Sequence, residues 1–404
     1  MLSTSKSNQD NRILITGGGP VGLFAAIRLT GFGISVTLVE KNSAVSQNIR
    51  ASTIHPPSLE MMAPYGINDE VFNNGLKVAK WQIRNHITGE NVIFDLKHIA
   101  DETEFPYRVQ CEQSKLCNIM NQILKRQSLA DIRYSTELLS AKQDKNGVTI
   151  KVVHKKREEE LRGRFLIAAD GGTSTIRSQL RIPFEGSTYP ERTVLVTTPF
   201  PFHKYIEGLS SVTYCWQKNG NFSLLQLPNQ WRASLYFPEE LSPEEALSED
   251  RIQQQLHEIY PSVEPFTIYD KRVYRVHQRI VPKYNHGRIL LAGDAAHLNS
   301  PSGGMGMNGG LHDAHNLTEK LNKIWSGGDL SLLDLYSRQR KPIAERQIIE
   351  QADQNRKRMT ERDPTKRRKA LAELRAITED PVKCKSFLMK SSMIEGLREA
   401  DLII

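Results

Sequence analysis

Long apolar runs are missing from this chain. No segment approaches the roughly 20 apolar residues that a membrane-spanning helix requires, so no such helix is expected. Cysteine is scarce as well. Cys111, Cys117, Cys215 and Cys384 are the only four in 404 residues, too few and too irregularly spaced for a disulfide framework. They read as free, buried thiols in a reducing cytoplasm. Residues 1–11 are polar and lack the apolar stretch of a secretory signal. Internal repeats, low-complexity tracts, recognisable nucleic-acid motifs and metal-ligand patterns are absent too, so neither nucleic acid nor metal is an expected partner.

What remains is a globular composition, 39% hydrophobic and 25% charged, in a chain long enough for two or three cooperating units. The net charge of +8 is concentrated: Arg356–Lys369 holds eight basic and two acidic residues. A solvated helix face explains such a run, and contact with an anionic partner or surface is the alternative.

The glycines are where chemistry enters. Ile13-Leu14-Ile15 is the short apolar run of a buried parallel strand. It meets Gly17-Gly18-Gly19-Pro20-Val21-Gly22, which fits G-x-G-x-x-G. Gly17 permits the tight turn, Gly19 lets backbone approach a pyrophosphate, and Gly22 lets the next helix pack against the strand. That helix, expected over Leu23 to about Thr30, aims its amides and positive dipole end at the phosphates. A second strand over Ile34–Val39 leads to Glu40, eighteen residues past Gly22, where a carboxylate can bind ribose hydroxyls.

Two further segments repeat the strand-then-glycine pattern. Phe165–Ala169 stops at Asp170-Gly171-Gly172, and Ile289–Ala292 stops at Gly293-Asp294. Each puts a carboxylate and flexible backbone where ligands bind an open parallel sheet, although an Asp-Gly-Gly sequence also makes ordinary turns. Pro301–Gly310 then reads as a five-glycine loop able to lie flat against a ring system, opening a helix through about Leu321. His297, in the turn after the strand, reads either as an acid–base residue or as a packed, loop-bonded one.

Between these motifs, the pattern predicts a short helix at Ser58–Tyr65, strands around Thr88-Gly89, a helix at Ser114–Ser128 and two strands within 132–153. Lys155–Glu160 reads as a solvated hairpin loop. From Ser187 to Tyr269, short strands alternate at period two and favour an antiparallel sheet: Arg192–Thr198, Ser211–Trp216, Phe222–Leu227 and Trp231–Phe237. A helix capped by Ser242 follows over Pro243–Ile259. The expected division is a dinucleotide domain over 10–185 and 276–345, with strands near 76–105 joining the substrate layer. A β-sheet substrate domain spans 186–275 and a helical region 346–404.

With these three motifs the chain resembles the single-component (group A) flavoprotein aromatic hydroxylases, the family of p-hydroxybenzoate hydroxylase, over roughly residues 12–345. The resemblance implies an α/β fold: a discontinuous glutathione-reductase-type FAD domain, an inserted β-sheet substrate domain and a C-terminal helical tail. It implies FAD as cofactor, NADPH or NADH as transient co-substrate, O2, and a phenolic or related heteroaromatic substrate hydroxylated through a flavin hydroperoxide. Gly17, Gly19, Pro20, Val21 and Gly22 would hold the pyrophosphate, Glu40 and Lys41 the adenosine side, and Arg50 the phosphates. Gln110 and Asp294 match ribityl contacts, Gly293 precedes Asp294 in the same motif, and Asp170 serves FAD and nicotinamide. Gly304, Gly306, Met307 and Asn308 would meet the isoalloxazine, and Pro301 would turn its carbonyl toward the reaction centre. Met305 departs from the family's usual polar residue.

The constellation that grips p-hydroxybenzoate has no match by motif, so that substrate is not expected. Tyr214, Trp216, Arg232 and Tyr236 are candidate substrate contacts, although such residues in strands also pack across strands. No catalytic base stands out, and a monomer or homodimer is equally compatible. A second nucleotide motif and a C-x4-C pair, which a disulfide reductase would need, are missing. So is the W-x-W-x-I-P segment of flavin halogenases. A halogenase or reductase on the same scaffold, or a non-catalytic FAD-containing module, are the alternatives.

Overall fold

The structure, a computed structural model, describes residues 11–218, 220–238 and 240–404. The polar N-terminal stretch is therefore outside the described residues, apart from Asp10's neighbour Asn11. Its central feature is a six-stranded sheet. The order across it is Asn285–His286, Ile289–Leu291, Phe165–Ala168, Ile13–Thr16, Val36–Val39 and Ala130–Arg133. All neighbours run parallel except the first pair. The four central strands are buried throughout, as helices on both faces of a doubly wound sheet require.

Register explains why the three glycine motifs meet. Thr16 pairs with both Ala168 and Val39, and Ala168 pairs with Leu291. The strands therefore end at one level, and their exits lie side by side at the carboxyl edge of the sheet, the place where such sheets bind ligands. The helix Pro20–Gly31 begins earlier than its apolar pattern suggested, because Pro20 is suited to the first helical position.

The second large sheet has eight strands, ordered His297–Leu298, Asp270–Ile280, Glu185–Thr198, Gln230–Phe237, Gly220–Leu227, Val212–Gln217, Lys80–Asn85 and Asn91–Asp95. It is antiparallel except where Val212–Gln217 runs parallel to Lys80–Asn85, which joins it from the first part of the chain. The long strand Asp270–Ile280 straddles the expected boundary at 275 and pairs along Glu185–Thr198. Side chains alternate between two apolar layers. Val212, Tyr214 and Trp216 face one of them, and Cys215 joins Phe222, Leu224 and Trp231 in the other. Helices Pro243–Ala246 and Glu249–Ile259 cover the second layer. Their single expected helix is split, with a Ser242–Glu245 capping box on the first part.

The C-terminal helices Gln351–Thr360, Pro364–Glu379, Pro381–Ser391 and Ile394–Asp401 cover the first layer. Met359, Leu371, Leu374 and Leu388 pack there against Trp81, Phe94 and Trp216. The basic run 356–369 is thus not a uniformly solvated face. Arg362, Lys366, Arg368 and Lys369 are exposed. Arg367 is 3% exposed and donates to the Gln217 and Gly220 carbonyls at 2.7 and 3.2 Å. The expected hairpin loop at 155–160 is also corrected. Only Lys155-Lys156 turn, and Arg157–Gly163 is an edge strand on Val148–His154, where Lys151 reaches Glu158 at 2.5 Å. Among the described residues no helix is long and apolar enough to cross a membrane, and no cluster of His, Cys, Asp or Glu is placed to hold a metal ion.

Candidate active site

The site begins at the sheet's carboxyl edge. Gly17 has φ +100°, a left-handed conformation, and a Cβ there would lie 2.2 Å from the Ala169 carbonyl oxygen. A Cβ on Gly22 would lie 2.0 Å from the Gly17 oxygen, so strand and helix touch as only glycine allows. Gly19 is the opposite case: nothing stands within 4 Å of its missing Cβ. It caps a helix whose first amides receive no side-chain cap. An open backbone facing uncapped amides has the donors to cradle a phosphate. Pro20 and Val21 form the first turn of that helix. Glu40 bounds the cradle, its Oε2 accepting the Gly18 N–H at 2.7 Å and its Oε1 the Asn42 N–H at 2.9 Å. Lys41 and Arg50 are exposed beside it.

The helix Met305–Trp325 supplies the other wall. Gly304, at φ +71°, is its N-cap, again without a side-chain cap. The Pro301 carbonyl accepts the Gly304 N–H at 3.0 Å in the preceding turn. The five glycines expected in one loop are divided by this helix start. Gly303 and Gly304 turn the chain, whereas Gly306, Gly309 and Gly310 are helical. Their smallness serves contact instead. Val21 sits between Gly293 and Gly310, whose hypothetical Cβ atoms would meet its Cγ2 at 2.8 and 2.6 Å. The first and third motifs thus lock together through one valine. Met307 is 8% exposed. Asn308 is fully buried and uses its whole amide: Oδ1 accepts from the His55 N–H and the Ser58 hydroxyl at 2.9 and 2.8 Å, while Nδ2 donates to the Thr53 and Gly304 carbonyls at 2.9 and 2.7 Å.

Two polar side chains on this side of the molecule keep a buried atom without a partner. The Gln110 Oε1 accepts the Thr53 hydroxyl at 3.0 Å, but its Nε2 has no partner. The helix Thr175–Gln179 is capped by Ser174; Asp170 Oδ2 accepts the Ile176 N–H of its first turn at 3.3 Å, and Asp170 Oδ1 has no partner. Burial raises the Asp170 carboxyl, against the hydrogen bonds that lower it. Burial likewise raises Asp294, opposed first by His297 and then by Arg50. Unfilled donors, acceptors and the Gly19 cradle together match the polar needs of a bound dinucleotide.

Behind Gly293 lies a hub that the sequence did not disclose. Asp313, fully buried, accepts the Gly293 N–H at 3.1 Å, His297 Nε2–H at 2.9 Å and Arg340 Nε–H at 2.8 Å. Burial pushes its carboxyl up, but Arg340 and His297 together outweigh that and hold it low. His297 is fully buried and stacked near Tyr284, so its surroundings are those of a packed, hydrogen-bonded residue.

A small cavity, about 30 Å³, lies beside Ser302-Gly303 and Met305. Trp81, Ile83 and Tyr214 line it from the eight-stranded sheet, Arg108 from the strand Arg108–Gln110, and Asn355, Arg358, Met359 and Phe387 from the C-terminal helices. Of the four expected substrate contacts, only Tyr214 is in this lining. Trp216 shares its face but is buried deeper, donating Nε1–H to the Arg358 carbonyl at 2.9 Å. Arg232 points to the dinucleotide side and donates to the Arg50 carbonyl and Ser52 hydroxyl at 2.5 and 3.0 Å. Burial brings its guanidinium down to about 10. Tyr236, on the same face as Arg232, neighbours Tyr274. All four cysteines are buried free thiols. Burial raises Cys111 and Cys117 to about 12, unlike a reactive pair.

Comparison with known proteins agrees with this geometry. Residues 10–352 match the family model described as FAD binding domain. The chain is 32% identical, over 82% of its length and 84% of the relative's, to 6-hydroxy-3-succinoylpyridine 3-monooxygenase HspB of Pseudomonas putida (strain DSM 28022 / S16). It is 28% identical to para-nitrophenol 4-monooxygenase of Pseudomonas sp. (strain WBC-3), over 96% of each. The crystal structure of p-nitrophenol 4-monooxygenase PnpA from Pseudomonas putida DLL-E4 superposes with a TM-score of 0.90 at 27% identity, covering 96% of this chain and 98% of that one. The chain belongs to the FAD-binding-domain family of flavoprotein aromatic monooxygenases.

Proposed function

We propose that this enzyme hydroxylates a small phenolic or related heteroaromatic compound, using NADPH or NADH and O2, in the cytoplasm. The observation that carries the reading is the cavity's position. It abuts the Pro301–Gly304 turn and the uncapped helix start at Met305, under aromatic and thioether walls suited to a planar ring.

When bound, FAD supplies hydride acceptance and oxygen activation. The residues do the rest. Gly17, Gly19 and Gly22 with the amides of Val21 and Gly22 would take the pyrophosphate, and Glu40 the adenosine ribose. Gln110 and Asp294 would hold the ribityl chain. The first-turn amides of Gly306, Met307 and Asn308 would favour negative charge at the ring system's edge. Asp170, with an unfilled oxygen, serves the nucleotide side. Trp81, Tyr214, Met359 and Phe387 exclude water from the cavity, which keeps reduced cofactor and oxygen from reacting unproductively. His55 is neutral at pH 7 and only a weak base. Burial, then the nearby Arg108 charge, lowers it to about 3.

The test is a screen of phenols and hydroxypyridines against the yellow, FAD-loaded protein. Substrates should accelerate NAD(P)H oxidation with matching O2 uptake and a hydroxylated product. Hydride transfer without oxygen dependence would favour the reductase alternative, and silence in both assays the non-catalytic module.

A further inference from the structure

Arg108 stands out as a buried cation with no counter-charge. It is 2% exposed. Its Cζ lies 5.0 Å from the Trp81 ring centroid, its guanidinium is hydrogen-bonded with the Tyr214 hydroxyl, and Nη2 reaches the Ser391 carbonyl at 3.4 Å. Its Nε has no partner. Among the described residues no carboxylate forms an ion pair with it, and none lines the cavity it borders. The other lining guanidinium, Arg358, bonds to the Asn355 Oδ1 at 3.3 Å and feels the charge of Glu373. Arg108 has no such relief.

A guanidinium taken out of water without an anion is costly, and proteins rarely keep one unless something completes it. The surroundings say what would. Trp81 stacks in turn on Phe94 and Phe387, at centroid separations of 4.3 and 6.2 Å, so the wall beside the cation is aromatic. Tyr214 touches both Arg108 and the Gly303 backbone, so the cation sits next to the turn that leads into the Met305 helix. We propose that Arg108, seconded by Tyr214, anchors an anionic oxygen carried on the substrate's aromatic ring, and so makes this enzyme selective for ionised over neutral aromatics. The oxygen is that of a ring phenolate or a ring carboxylate. Either completes the planar donor fork with charge-assisted hydrogen bonds. The assignment rests on the aromatic-hydroxylase reading above for the word substrate, but the binding it describes can be measured without turnover.

The experiment is calorimetric titration of the FAD-loaded protein at pH 8 with two matched pairs: 4-nitrophenolate against 4-nitroanisole, and benzoate against benzamide. The parent should bind the anion of at least one pair about tenfold or more tightly than its neutral partner, the scale of a charge-assisted contact. The pair that shows the preference identifies phenolate or carboxylate. Arg108→Gln should erase the preference while leaving the neutral ligand's affinity within about twofold, and Arg108→Lys should keep part of it. Should Arg108→Gln fail to fold or to hold FAD, Arg108→Lys and the parent decide. Equal affinity for anion and neutral partner in both pairs, or an undiminished preference in the folded variant, overturns the proposal. Preference without any turnover would leave this anchor standing and remove the hydroxylase reading. Turnover of neutral aromatics without preference would do the reverse.

Discussion

Replacing Asp313 by asparagine tests how the FAD side is held together. The substitution keeps the shape but removes the charge that Arg340 faces at 2.8 Å, and both partners are at most 1% exposed. One carboxylate oxygen becomes an NH2 group, which must then point at a donor: Arg340 Nε–H, or the Gly293 and His297 N–H groups that share Oδ2. Breaking one side of a buried pair costs about 3–5 kcal/mol, chiefly because the surviving charge is left uncompensated. Urea unfolding of Asp313→Asn should show a loss of that size, together with weaker FAD retention, because the Gly293 turn carries Asp294. The double variant Asp313→Leu with Arg340→Met removes both charges and should recover part of the loss. It should not recover all of it, because Gly293 N–H and His297 Nε2 remain unsatisfied. A single variant within about 1 kcal/mol of the parent, the worth of an ordinary hydrogen bond, would refute the reasoning. So would a double variant no more stable than the single one.

Gly310→Ala puts a methyl group 2.6 Å from Val21 Cγ2. Overpacking should cost about 1–3 kcal/mol and weaken FAD binding, and Val21→Ala should restore part of both, the Gly293 Cα at 3.2 Å remaining; failure of any rescue in thermal unfolding and flavin titration would dismiss the contact. Low pH should destabilise the fold. His55, held to about 3, and His312, held well below its ordinary value, are both neutral by burial, so unfolding takes up protons below pH 6.5. Their contribution is complete above that pH and declines as pH falls, by roughly 3 kcal/mol for the two at pH 5.5. Equal urea midpoints at pH 7.5 and 5.5 would contradict it. Phe387→Ala opens the cavity roof where the ring lies 4.7 Å from Phe94. More NAD(P)H should then be oxidised per product formed, as a product-to-NAD(P)H ratio would reveal; an unchanged ratio denies that this helix shields the cavity.

What could be read from the sequence was what backbone geometry demands. Gly17 and Gly22 are fixed by a turn and a packing contact that no other residue allows, and Gly19 leaves open backbone between them, so their spacing carries meaning before any fold is known. The Asp170 and Asp294 turns were legible for the same reason, because each ends an apolar strand. Tertiary partners left weaker marks. Asp270–Ile280 has charged residues on both faces and only Val276 buried, so its alternation gave no strand signal. The cavity roof comes from helices whose sequence looks merely basic, because Arg367 reaches carbonyls rather than solvent. Gly306–Gly310 looked like loop because glycine disfavours helices, yet Val21 and Asn299 need the room inside one. Arg108 occupies a three-residue strand beside Gln110, and nothing local distinguishes a buried unpaired arginine from an exposed one.

The convergence of three distant strand exits on one flavin is tested most directly by counting it. Purified protein, and protein with Gly19→Leu, would be saturated with FAD, desalted and assayed for released flavin per chain. The account predicts about one non-covalent FAD per parent chain, and a folded Gly19→Leu variant that retains little, because the leucine fills the open cradle. A folded parent that takes up no flavin, or a variant that binds it equally well, would contradict the account.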